Sequence, residues 1–290
     1  MNIWEKDILT LCDFYRIFEN GKARVILIKN DKQKKHKYVF GFWNFSNEET
    51  ENQAVFDIME QECCKLGVTD LIGPLNYSTW FDYRLALDNY DINLYPDCEG
   101  SAEQTQFLIS RGYKTSLVYS SKIFEYAEAD DFIKRTPPLS KKSEMVLEEG
   151  HAIENLTKDI YEISIDCFAD AELYTPLSFE AYTDIYLLPF RRQGVNPYAV
   201  LIRCNDEPVA FSFSYTCDFN DYYTCKTIGI KKRFQKDRAI LMNLIKGVLI
   251  SYSENKDKKI VFHFQKADSF RHFYKDNAVK KTYGLFFKRI

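Results

Sequence analysis

The residues from Lys231 to Arg238, KKRFQKDR, put five cations between a β-type run (Tyr223 to Ile230) and an apolar segment of helical period that starts at Ala239. The first amides of a helix have no acceptor within the helix. Those donors and the positive end of the helix dipole suit a phosphate. The chemistry expected of this strand–loop–helix junction is therefore the holding of a cofactor pyrophosphate.

Other reactive residue types are sparse in pattern. His263 and His272 are nine residues apart, a spacing that fits no compact zinc motif, and no cysteine supports them. They read as bases or ligands only weakly. His263, flanked by Phe262 and Phe264 in a strand pattern, reads as a packed histidine. Asp218, Asp221 and Glu207 read as turn or surface carboxylates, so no general base stands out. The chain has no Walker loop, G-x-G-x-x-G, G-x-S-x-G or H-E-x-x-H, and no metal site is expected.

The elements that must position the junction follow from hydrophobic period. Strands are expected at Ala23 to Ile28 and Tyr38 to Phe45, then a helix from Glu49 to Leu66 that stops at Gly67. A short strand (Val68 to Ile72), an aromatic-rich stretch (Leu75 to Glu99), a helix (Ser101 to Ser110) and a strand (Tyr113 to Tyr126) complete the first half. Ala127 to Gly150, with Pro137–Pro138 and a charged flank, is the expected boundary. The second half reads as helices at Thr157 to Phe168 and Ser178 to Leu187, then a strand pair, Tyr198 to Arg203 and Val209 to Tyr215. After the junction come a strand (Lys259 to Phe264), a helix (Asp268 to Lys275) and a final strand (Lys280 to Ile290). VILIKND (Val25 to Asp31) resembles VLIRCND (Val200 to Asp206), and Phe107 to Phe124 aligns with Phe273 to Ile290. Two matches in the same order favour a duplicated unit over one continuous sheet. The expected fold class is α/β (α+β), with two mixed-sheet halves in tandem, 1–130 and 131–290.

Composition narrows the function classes. The chain has 290 residues, 46% hydrophobic and 28% charged, which is globular. A formal charge of −3 gives no broad nucleic-acid footprint. The basic run Lys29 to Lys37 reads as a solvated hairpin tip, so no nucleic-acid partner is expected. Ala239 to Tyr252 is interrupted by Asn243 and Lys246 and is too short to span a bilayer, and Met1 to Leu11 is too charged for a signal peptide. With eight cysteines and no C-x-x-C pair, a reduced, cytoplasmic protein without membrane contact is expected.

In this order the chain resembles the GNAT acyltransferase superfamily, as a tandem of two such folds. Four stretches carry the resemblance: LIGPLNYSTWFDYRL (Leu71 to Leu85), Ser101 to Tyr119, KTIGIKKRFQKDRA (Lys226 to Ala239) and Phe262 to Phe286. The first is similar to a G-P-x-N-x-S/T…Y-R segment of tandem GNAT proteins. The third falls where the family has its Q/R-x-x-G-x-G/A loop. Here Phe234 takes the Gln/Arg position and Asp237 the central glycine, and only Ala239 fits the last small position. A side chain at the glycine position crowds a phosphate, and a carboxylate repels it.

The resemblance implies an acyl-CoA-dependent N-acyltransferase, with acetyl-CoA or another acyl-CoA as cofactor and a small-molecule or peptide amine as acceptor. It implies cofactor contacts at Ile228, Ile230, Gln235, Lys236, Asp237, Arg238, Ala239 and Asp268. Tyr274 stands where the family's leaving-group acid does; a phenol of pKa about 10 can donate to a thiolate. The plainer readings are a packed tyrosine and, for Asp268, a helix N-cap. Leu75 to Glu99 has no counterpart in the second half and reads as an acceptor wall or as extra core, with Asn76, Ser78 and Arg84 as its candidate substrate contacts. Two alternatives stay open: a catalytically inactive binding protein on the same scaffold, motivated by the altered loop, and a Fem-like aminoacyl transferase. The sequence leaves the oligomeric state open.

Overall fold

The structure is a computed structural model and describes residues 3–95, 100–124, 129–266 and 279–290. From the N-terminus run α1 (Ile3–Leu9), β1 (Phe14–Asn20), β2 (Ala23–Lys29), β3 (Tyr38–Asn44), α2 (Glu49–Lys65), β4 (Asp70–Gly73), β5 (Leu85–Ala86), α3 (Ala102–Ser110) and β6 (Lys114–Phe124). Then come α4 (Ala129–Arg135), β7 (Ser143–Glu149), α5 (Thr157–Cys167), α6 (Phe179–Ala181), β8 (Val195–Cys204), β9 (Glu207–Cys217), β10 (Tyr222–Ile230), α7 (Arg238–Tyr252), β11 (Lys259–Lys266) and β12 (Val279–Arg289).

Two compact units result. The first holds Met1–Tyr119, Glu172–Thr175 and Lys281–Ile290; the second holds Ser120–Ala171 and Pro176–Lys280. In the first, β1, β2 and β3 form an antiparallel meander and β4 joins β3 in parallel. The final strand of the chain closes this unit, with Phe286↔Gly73 through Arg289↔Asp70 pairing β12 to β4. The core lies between this sheet and α2. Val55, Phe56, Met59 and Cys63 fall at helical spacing and are buried. Edge-on aromatic contacts fill the layer, Phe40–Phe56 at 5.6 Å and Phe56–Phe107 at 5.2 Å between centroids.

In the second unit β7, β8, β9 and β10 are antiparallel neighbours, and β11 runs parallel to β10. Ile240, Leu244, Ile245, Val248 and Leu249 of α7 are buried against the sheet, beside Val200, Ile202 and Tyr223. The end of α5 packs on the other face, where Cys167 lies against Gly229.

The structure departs from the expected elements in several places. The stretch expected as a linker contains β7, an added strand on the second sheet. The helix expected from Ser178 to Leu187 is one α turn (Phe179–Ala181) and then a π-helical turn, Tyr182–Tyr186, with Tyr182 and Tyr186 stacked at 5.2 Å. The repeat is also offset from the expected one. Counted back from the helix that follows, β2 occupies the place of β9, whereas the sequence match pairs it with β8. Apolar hairpin strands of one length resemble each other whatever their place in a sheet.

Candidate active site

The pairing of β10 with β11 covers four rungs, from Tyr222↔Lys259 to Cys225↔Phe262. The next rung would set Lys226 against His263. At the same point the β9–β10 register slips between Cys225 and Thr227, so Lys226 is a bulge. A bulge residue leaves the ladder and re-aims the side chains after it. Before it, Tyr223 and Cys225 face α7; after it, Ile228 does so, with Ile230 in the same apolar layer. Among the described residues the rungs between β10 and β11 run as far as Cys225↔Phe262.

His263 stands one residue past that rung. Ile260 and Phe262 pack toward α7, so strand alternation sends His263 to the opposite face. It is buried, and its Nδ1 lies 2.7 Å from the Oγ of fully buried Ser121, at the end of β6. With the proton on Nδ1, the imidazole donates to Ser121 Oγ and Nε2 is the basic nitrogen. Thr224 is buried one alternation back on β10, and its Oγ1 has no hydrogen-bond partner among the described residues. Lys226 Nζ lies 5.8 Å from the centroid of the Phe190 ring. His263 is packed, as its phenylalanine neighbours suggest, and its Ser121 partner comes from another strand. The signal for its direction is the alternation: Ile260 and Phe262 face the core, so the residue after them faces the other way.

Gly229 fits the same face tightly. A Cβ there would stand 2.3 Å from Phe211 Cε1 and 3.0 Å from Cys167 Sγ. Burial pushes the Cys167 thiol up to about 12, so it is no thiolate nucleophile. Gly229→Ala should destabilise the second unit by about 1–3 kcal/mol through overpacking. The check is a urea midpoint, with Phe211→Leu in the same chain recovering part of the loss.

The basic loop is a short 3-10 turn, Lys232–Phe234, followed by Asp237 as N-cap of α7. Asp237 Oδ1 accepts from Ala239 N at 2.9 Å and Ile240 N at 3.3 Å. The carboxylate thus takes two of the amides that a phosphate would use. Phe234 turns inward to the apolar layer of Ile228, Ile230 and Ile240. Gln235 Nε2 donates to Ile230 O at 3.2 Å. Lys231 Nζ is 3.1 Å from Glu207 Oε1, Arg233 pairs with the same carboxylate, and Lys232 pairs with Asp170. Lys232 N also donates to Asp166 Oδ2 at 2.8 Å. Lys231, Lys232, Arg233, Asp166 and Glu207 border a depression of about 670 Å³. Lys236 and Arg238 are exposed beside the cap. Exposed pairs of this kind are worth little and exchange readily for a stronger anion.

The expected substrate contacts lie in the first unit and have distinct surroundings. Asn76 Oδ1 accepts from Phe42 N at 2.7 Å and the residue borders a cavity at the end of β3. Ser78 Oγ accepts from Thr175 N at 3.0 Å and so holds the Glu172–Thr175 segment, which Trp80 Nε1 and Asn30 Nδ2 also grip at 2.9 and 2.8 Å. Ser78→Ala would leave that buried N–H without its acceptor and should cost about 1–3 kcal/mol, read from chemical denaturation. Arg84 is fully buried, its guanidinium carbon 3.3 Å from the centre of the Tyr83 ring and 4.3 Å from that of Tyr119. Tyr274 and Asp268, the expected acid and cofactor contact, lie outside the described residues, as do the helix expected around them and His272.

The corresponding junction of the first unit, from β3 into α2, is acidic. Its first turn carries Glu49 and Glu51, its N-cap is Glu48, and Ser46 Oγ donates to Glu51 Oε2 at 2.6 Å. Carboxylates at a helix N-terminus suit the dipole and disfavour a second anion. Among the described residues no helix is long and apolar enough to cross a membrane, and no group of His, Cys, Asp and Glu could hold a metal ion.

Strand pair, bulge, helix and parallel strand, present once in each unit, define a protein of two GNAT-type folds. No family model matches the sequence, and no curated protein matches it. Solved structures do. A tandem GNAT protein from the clavulanic acid biosynthesis pathway, solved without AcCoA, superposes with a TM-score of 0.58 at 8% identity, over 96% of this chain and 84% of its own. A GCN5-related N-acetyltransferase from Sphaerobacter thermophilus gives 0.50 at 11% identity, over 92% and 76%. The chain has the tandem GNAT fold.

Proposed function

We propose that the chain is an acyl-CoA-dependent N-acyltransferase, acetyl-CoA being the first donor to try, with the cofactor in the second unit and a small-molecule or peptide amine as acceptor. The observation that carries this reading is the buried Ser121–His263 pair beside the β10 bulge at Lys226. Acyl-CoA, when bound, supplies an acyl group activated as a thioester.

The chain's own residues meet the remaining needs. Lys236 and Arg238 supply positive charge for phosphates where the family uses backbone amides, since Asp237 occupies those. An attacking amine must shed a proton; Nε2 of His263 takes it, while Ser121 holds the ring through Nδ1. Ser121 is a positioning residue, and His263 is the candidate general base. Thr224 Oγ1 is the donor for developing oxyanion charge.

Calorimetry and thermal shift with acetyl-CoA test the reading. A ligand present at about 100 times its Kd stabilises by about 2.7 kcal/mol, a clear rise in Tm. No heat and no stabilisation at millimolar cofactor would reject it. The Asp237 cap favours a second reading, a GNAT-fold binding protein without turnover. That reading prevails if the cofactor binds and no amine of a broad panel is acylated.

A further inference from the structure

The chain leaves the second unit after Ala171 and returns to it at Pro176; Glu172–Thr175, in between, belongs to the first unit. Connecting segments usually run over the surface, because a buried one must find partners for its backbone groups. Here Leu173 and Thr175 are buried, and residues of the first unit meet their polar groups. Gln33 Nε2 and Thr79 N donate to Leu173 O at 2.8 and 3.4 Å. Ser78 Oγ accepts from Thr175 N at 3.0 Å, Trp80 Nε1 donates to Thr175 O at 2.9 Å, and Asn30 Nδ2 donates to Thr175 Oγ1 at 2.8 Å. Asn30, Gln33 and Ser78 are themselves buried. Leu173 has a φ of 63°, a conformation that bulky residues rarely adopt, and one that persists only where the surroundings over-determine it.

This grip fixes one end of residues 176–191. That stretch has one α turn, a π-helical turn and a 3-10 turn (Leu188–Arg191), and no longer helix. Within the second unit Tyr161 holds it, donating to Leu177 O at 2.9 Å and packing on Phe179 and Tyr182. Near its far end, Phe190 lies 4.9 Å from Phe213 and 5.2 Å from Tyr215 between ring centroids. By strand alternation these two rings share the face of Phe211, which meets Gly229 beside Cys167, opposite α7. Tyr215 pairs with Thr224, and Lys226 Nζ lies 5.8 Å from the Phe190 centroid. Phe190 therefore walls the face that carries Thr224 and His263. A segment tied at both ends has fewer conformations than one tied at a single end. We propose that the Glu172–Thr175 strap is the anchor that sets this aromatic wall beside the acceptor, with Asn30, Gln33, Ser78 and Trp80 as positioning residues. The proposal rests on the acyl-transfer reading only for what the wall meets.

Hydrogen exchange read by mass spectrometry on the full chain tests the anchor. Thr175→Val keeps the shape of the side chain and removes the Oγ1 that Asn30 holds, and Gln33→Met removes a donor to Leu173 O. In either variant the amides of residues 176–191 should exchange about fivefold faster, as the loss of one net hydrogen bond implies. Amides of α7 and β8 should keep their rates. Thr175→Ser retains the hydroxyl and should stay close to the wild type. In the double variant the KM of an amine should rise about twofold or more, since apparent affinity scales with the closed fraction, while acetyl-CoA affinity by calorimetry is unchanged. Unchanged exchange at 176–191 in both single variants would overturn the proposal. So would equal acceleration in α7, which would mark a general loss of stability, and so would an unchanged KM in a double variant whose wall exchanges faster. A wild-type chain that acylates no amine would reject the acyl-transfer reading instead, and the exchange rates would still decide the anchor.

Discussion

Replacing His263 by glutamine is expected to slow acyl transfer by about 10²-fold or more, the usual contribution of a positioned general base. The assay is thiol release from acetyl-CoA with a panel of short alkylamines. Glutamine keeps hydrogen-bonding capacity beside Ser121 but cannot take a proton at neutral pH. The sign with pH follows from the role. A base works only unprotonated, so kcat/KM of the wild type should have a limb that rises with pH. His263→Gln should flatten that limb and leave acetyl-CoA binding by calorimetry unchanged. Ser121→Ala keeps the imidazole and loses its tether, so it should give an intermediate loss and move the limb without abolishing it. A purely structural pair would lower stability in both variants and leave the shape of the pH profile alone. Full activity in His263→Gln would remove the residue from the mechanism.

Asp237→Asn should tighten acetyl-CoA binding about fivefold, the equivalent of about 1 kcal/mol of like-charge repulsion relieved at an exposed site. Asparagine caps helices as well as aspartate, so Tm should barely move. Asp237→Ala separates the two roles of the side chain. It also removes the charge, but the Ala239 and Ile240 amides lose their acceptor, and a cap loss costs about 0.5–2 kcal/mol. Its Tm should therefore fall while its affinity rises, because those amides become available to phosphate. If both variants bind acetyl-CoA no better than the wild type, the pyrophosphate is not held at this junction. Lysine pairs do not obscure the result: Glu207, which holds Lys231 and Arg233, is more than a third exposed, and such pairs contribute little.

Much of the scaffold was legible in the sequence. The period of Val55, Phe56, Met59 and Cys63 and the apolar run of α7 place two helices, and the strands before them follow from β-branched and aromatic runs. The junction was legible too, because a loop between a strand and a helix leaves amides unpaired wherever it occurs. β1, FYRIFEN, was missed because it is an edge strand with one buried residue, and such a strand carries little alternation. β7 was missed for a related reason: its side chains are mostly half-buried, and the prolines before it suggested a linker. The candidate base was in view as a packed histidine, but burial says which residues are inside and not which partner they meet.

The local sequence by itself determined the strand–loop–helix order, the altered loop with Phe234 and Asp237, and the family resemblance. Those depend on residues a few positions apart, where chain geometry fixes the outcome. Only the tertiary structure decided that β10 bulges at Lys226, that Ser121 meets His263 from another strand, and that the last strand of the chain completes the first unit. It also decided that Asp237 is a cap and not merely a missing glycine. Each of these joins residues far apart in sequence, and no local propensity specifies register or partner across such a distance.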